Sequence, residues 1–231
     1  MTDGPMPINW DLSVSEAKQD QQRVKAGLVH QPLQLSDLPY ALAVGVAYSE
    51  GAGEAVAVCT SMLISGSQID PDSYMVSRAL SDFPYVAGFF VYREGPAICE
   101  LLDSLPGLPR LIVFDSQGVA HPRGLGLAAH IGVLYDVPTI GITRKLLSGR
   151  ASPVPSRDGA TAPIKGRSGS EIGIAVRFKG RCEPVYCSPG HRTDLATIKS
   201  YCQGVRAVRS CFPEALALVH QKANILAREP R

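Results

Sequence analysis

A chain of 231 residues, 45% hydrophobic and 19% charged with a formal charge of +2, has the composition of a soluble globular protein with enough chain for a substantial core. It excludes a low-complexity or heavily basic polypeptide, and its longest apolar stretches, Leu42 to Val46 and Ala55 to Cys59, are too short to span a bilayer. With no basic region and apolar core at the N-terminus, no membrane partner and a cytoplasmic location are expected.

Residues 1–12 are expected to be loose, and residues 13–231 to form a single domain. From Ser13 to about Leu28, apolar residues recur among Lys, Gln, Asp and Arg, which predicts an amphipathic helix capped by Ser13 or Ser15. Tyr40 to Tyr48 reads as a strand, Ser49 to Glu54 as a turn, Ala55 to Ile64 as its hairpin partner, and Ser73 to Leu80 as a third strand. Phe83 to Pro96 reads as a loop presenting aromatics, with Glu94 at the entry of a helix running from Pro96 to Asp103.

Leu111-Ile-Val-Phe-Asp115 is an apolar run ending on a carboxylate, the pattern of a buried parallel strand. Open α/β sheets hold their chemistry at such strand ends, although an Asp there also caps helices. Pro122 to Leu134 reads as a helix carrying His130, and Val137 to Ile142 as another parallel strand. Gly149 to Gly169 reads as a long loop, Glu171 to Lys179 and Cys182 to Cys187 as a second hairpin, and Thr193 to Tyr201 and Pro213 to Ala227 as helices. His191 fits either a structural role or one beside the site.

Between Arg144 and Arg181 stand nine basic residues against two acidic ones, which suits a phosphate-facing surface or a solvated hairpin face. The six cysteines show no zinc-finger spacing and are expected to be reduced thiols.

Several motifs occur in an order that resembles the endonuclease V family. They are Phe83-Pro-Tyr-Val, Tyr92-Arg-Glu94, Phe114-Asp115-x-x-Gly118-x-x-His121-Pro-Arg123, Gly126-x-x-x-His130, Val137-Pro-Thr-Ile-Gly141 and Gly190-His-Arg192. The resemblance implies an α/β, ribonuclease-H-like mixed sheet, antiparallel hairpin strands plus parallel strands, flanked by helices. It implies cleavage of DNA or RNA on the 3′ side of the nucleotide following an inosine, with Mg²⁺, or Mn²⁺ in its place. Carried over residue by residue, Glu94 and Asp115 match metal-binding acids, and His121 a phosphate contact or proton donor. Pro84 and Tyr85 match a strand-separating wedge, where an aromatic can stack in the gap left by an extruded base. Gly118, Arg123 and Gln117 are placed at the substrate, and Arg144 stands where the family has a catalytic-side Lys.

Four positions depart from the family pattern. Gly45 stands where a metal-binding Asp is expected, and the nearest acids, Glu50 and Glu54, lie beyond the strand. Arg144 replaces the Lys, Gln117 a His or Tyr, and Ala87 the second Pro of the wedge. These departures lead to the expectation of a weakened or reassigned nuclease whose cleavage rises on Gly45→Asp. Two alternatives stand beside it: a small-molecule enzyme using Glu94, Asp115 and His121 without a metal cofactor, and a non-cleaving nucleic-acid binder.

Overall fold

The computed structural model describes residues 8–49, 53–64, 70, 73–205 and 211–229. Its frame is one nine-stranded mixed sheet, ordered β3-β2-β1-β4-β5-β9-β8-β7-β6. The strands are β1 Tyr40–Ser49, β2 Glu54–Leu63, β3 Met75–Leu80, β4 Ile112–Asp115, β5 Thr139–Thr143, β6 Arg150–Ala151, β7 Ala160–Lys165, β8 Glu171–Arg177 and β9 Val185–Pro189. β1, β4 and β5 run parallel at the centre, and every other pairing is antiparallel.

Period-two alternation gives the sheet two different faces. Leu42, Val44, Ile112 and Phe114 point to a core shared with α1 (Val14–Lys25), α2 (Phe90–Asp103) and α3 (Leu127–Tyr135). Ala41, Ala43, Leu111 and Val113 point to a second core under α4 (Leu195–Gly204) and α5 (Glu214–Leu226). The expected mixed-sheet architecture is therefore present, with helices on both faces.

Four expectations are corrected. Residues 1–7 lie outside the described residues, but Ile8, Trp10 and Leu12 are not loose and pack on the first core. Trp10 meets Tyr92 edge-on at 6.2 Å, over the bare Cα of Gly95, where a Cβ would lie 2.3 Å from its ring. The Gly149–Gly169 segment contains β6 and β7, whose Ala160, Ala162 and Ile164 are buried in alternation. Cys182 and Cys211 are joined in a disulfide, their Cα atoms 5.5 Å apart, while Cys187 and Cys202 are buried free thiols with their sulfurs at 3.3 Å.

The fourth correction bears on the site. α2 begins at Phe90, so Pro96 lies inside the helix and Glu94 in its second turn. A proline there removes the N–H that would bond the carbonyl four residues back, that of Tyr92. The buried hydroxyl of Ser81 donates to that carbonyl at 3.0 Å instead, so the helix continues.

Candidate active site

Glu94 and Asp115 meet at the carboxyl ends of the parallel strands. Asp115 ends β4, one residue beyond the pairing of Phe114 with Val44, and Glu94 projects from α2. Both line an open cavity of about 690 Å³, together with Gln117, Arg144, Tyr85 and His220. Burial, reinforced by the negative charge of Asp115, pushes the Glu94 carboxyl up to about 8, against the pull of Arg93.

Two basic side chains meet Asp115 on the same oxygen. Arg144 Nη1 lies 3.2 Å from Oδ2, with the guanidinium 3.8 Å from the Phe212 ring centroid, and His220 Nδ1 lies 3.0 Å from Oδ2. His220 was missed by the sequence reading. The signal open to it was a histidine on the α5 face that also carries buried Leu216, Val219 and Ala223.

Tyr85 is 74% exposed at the rim, its ring tilted against that of Phe90 with the centroids 5.3 Å apart. Pro84 lies on the other side of that loop, in a separate hollow with Trp10 and Pro96. Gly118 is buried, and a Cβ there would lie 2.1 Å from the Pro189 carbonyl oxygen. It serves close packing rather than the cavity.

His121 and Arg123 do not reach the cavity either. The His121 Nδ1 accepts the Arg123 backbone N–H at 3.3 Å, which leaves Nε2 to donate to the Gly88 carbonyl at 3.0 Å. Burial, then the charge of Arg123, pulls this imidazole down to about 4. With both ring nitrogens engaged by backbone groups and no place in the lining of the cavity, His121 is set behind the loop that carries Tyr85 rather than beside the two acids. Arg123 gives one N–H to the Gln21 side chain and another to the same Gly88 carbonyl, and lies over the Phe89 ring. Gln21 Nε2 also donates to that carbonyl, at 3.0 Å. Gly88 has φ of +85° and closes the loop that carries Tyr85, so these side chains hold the loop from behind.

His191 is structural: it is buried, with Nδ1 accepting the Val29 N–H and Nε2 on Asp136. Glu54 pairs with Arg78, and Glu50 lies outside the described residues. The basic stretch divides between the two ends of the sheet. Thr143 is level with Tyr186, Ala175 and Ala162, whereas Arg150 and Lys165 pair three residues further along β7, toward the end away from Asp115. Arg177 is turned inward to the Cys182 and Val154 carbonyls, and Lys179 pairs with Asp158.

Among the described residues, no cluster of three or more His, Cys, Asp or Glu side chains is assembled for a metal. The two acids nevertheless fit Mg²⁺, which takes one or two carboxylates and completes its shell with water and substrate phosphate. The negative charge of Asp115, which adds to burial in raising Glu94, is what a bound divalent cation would offset.

A parallel-centred mixed sheet with a carboxylate at a central strand end and a second acid on a facing helix defines a ribonuclease-H-like hydrolase class. The endonuclease V family model matches residues 22–221. An endonuclease V of Xanthomonas oryzae pv. oryzae is 38% identical, the alignment covering 99% of this chain and 94% of that protein. A solved Streptomyces avermitilis endonuclease V superposes with a TM-score of 0.85 at 28% identity, covering 96% of each chain. A Ciona intestinalis endonuclease V, solved in complex with a 24mer DNA containing an inosine followed by a ribo-adenosine, shares the fold with a TM-score of 0.77 at 19% identity, covering 92% of this chain and 97% of that one. The chain belongs to the endonuclease V family. The comparisons lend no support to a small-molecule substrate or a non-cleaving binder. Among the described residues, no helix is long and apolar enough to cross a membrane.

Proposed function

We propose that this chain cleaves a phosphodiester of inosine-containing DNA or RNA, with Glu94 and Asp115 as the acids that hold Mg²⁺, or Mn²⁺ in its place. The observation that carries the reading is the juxtaposition of these two carboxylates at the carboxyl end of the parallel strands, lining one open cavity. When bound, the cation neutralises charge on the scissile phosphate and favours ionisation of an attacking water.

The chain's own residues supply the rest. Tyr85 offers an aromatic face on which a base beside the displaced nucleotide can stack. Arg144, half exposed and held between Asp115 and Phe212, meets the phosphate as a fixed positive charge that does not shuttle protons. His220 keeps the second oxygen of Asp115 free by occupying Oδ2 together with Arg144. Gln21, His121 and Arg123 hold the wedge loop through Gly88.

Incubation with inosine-containing and inosine-free DNA and RNA, in Mg²⁺ and in Mn²⁺, tests this. Inosine-dependent cleavage that is lost in Asp115→Asn is the expected result. Equal cleavage of both substrates, or cleavage that survives Asp115→Asn, overturns it.

A further inference from the structure

β1 presents only small residues to α5. Ala41, Ala43 and Ala47 face the α4/α5 core, with Gly45 between them in the same alternation, whereas Leu42, Val44, Val46 and Tyr48 face the opposite side. The helix comes closest at the glycine. A Cβ on Gly45 would lie 2.9 Å from the His220 backbone nitrogen, 2.9 Å from Val219 Cγ2 and 3.1 Å from the Val219 carbonyl carbon. Two of these atoms belong to the backbone in the middle of a helix, which cannot step aside as a side-chain tip can.

We infer that Gly45 is the seat on which α5 rests, so that the helix backbone fills the space a side chain would need and the His220 imidazole is set against Asp115. Gly45 is thus a positioning residue for the carboxylate that ends β4. The register agrees: Val44 pairs with Phe114, so Gly45 and Asp115 follow side by side on neighbouring strands, with the Val219–His220 step above them. An aspartate at this position does not refill an empty ligand site. It lifts α5, and His220 leaves Asp115. The role of the arrangement in cation binding rests on the proposed nuclease reading; the packing itself does not.

Three measurements on the full chain test the inference: thermal unfolding, binding of Mn²⁺ alone followed by the electron-spin signal of the free ion, and the ring-nitrogen NMR signals of His220. Gly45→Ala and Gly45→Asp are both expected to unfold at lower temperature and to shift the His220 ring signals. They should weaken Mn²⁺ binding about 10- to 100-fold, the usual loss when a group that orients a ligand is displaced. Gly45→Asp should not raise cleavage. Because either variant can fail to fold, Val219→Ala is combined with Gly45→Ala. Removing Cγ2 relieves one of the close contacts, so the double variant should be less destabilised than the sum of the two single ones. Tighter Mn²⁺ binding by Gly45→Asp at an unchanged unfolding temperature overturns the seat, and so does full additivity of the two substitutions. If the natural chain neither binds Mn²⁺ nor cleaves, the nuclease reading fails, while unfolding, coupling and the His220 signals still decide the seat.

Discussion

The loop behind Gly88 and the carboxylate end of β4 both carry histidine and arginine, yet they use them in opposite ways. Behind Gly88, His121 and Arg123 are turned inward, and three donors converge on one carbonyl. At Asp115, Arg144 and His220 are about half exposed, their side chains 46% and 45% accessible, and they converge on one carboxylate oxygen that borders the cavity. The first arrangement spends its polar groups on protein structure. The second leaves them where a substrate can compete for them. Residue type does not separate these roles; the partner and the exposure do.

The largest effect expected at the open end is that of Asp115→Asn. It should cut cleavage by more than the roughly 10- to 100-fold typical of losing a ligand's supporting partner, while leaving the fold intact by circular dichroism. Tyr85→Ala comes next. It should weaken binding of inosine-containing DNA by about 1–3 kcal/mol, the range for one base–aromatic stack, with no change in unfolding temperature.

The inward end should respond in stability instead. His121→Leu leaves the Arg123 backbone N–H without its acceptor, at about 1–3 kcal/mol for the group left unsatisfied, while the Gly88 carbonyl keeps Gln21 and Arg123. For a domain of this size that is about 2–4 °C in unfolding temperature per kcal/mol. Arg144→Ala, the mildest for stability, should change it by no more than about 1 kcal/mol, because its ion pair is exposed to solvent. If calorimetry puts Arg144→Ala below His121→Leu in stability, the contrast between the two regions fails.

Acid sharpens the contrast further. Burial depresses both His121 and His130 to about 4 in the folded chain, from an ordinary value of 6.5. Between these values the unfolded chain binds protons that the folded one refuses. The stability these groups contribute is therefore complete above pH 6.5 and lost as pH falls toward 4. Denaturant titrations across that window should show a slope that His121→Leu reduces.

The sheet's centre was legible because its signals are local: an apolar run stopping at Asp115, and an alternating hairpin at β1 and β2. Glu94 was matched by motif to a ligand position but set at the start of a helix, because Pro96 reads as a first-turn residue. The contact that lets proline sit deeper comes from Ser81, fifteen residues earlier, and leaves no local mark. β6 and β7 were hidden by a Gly-, Pro- and Arg-rich composition, although Ala160, Ala162 and Ile164 alternate as a strand should. The inward setting of His121 was not legible, because its motif position says nothing about which way its ring nitrogens face. His220 escaped because it meets Asp115 only once α5 has been laid across β1.

The bond from Ser81 to the Tyr92 carbonyl also has a consequence for how such a chain can drift. While Pro96 is present, losing the serine hydroxyl leaves a buried carbonyl bare in the helix that carries Glu94. Replacing Pro96 by alanine restores the backbone donor, after which Ser81→Ala becomes nearly silent. The serine hydroxyl is therefore dispensable only in a chain that has already lost the proline.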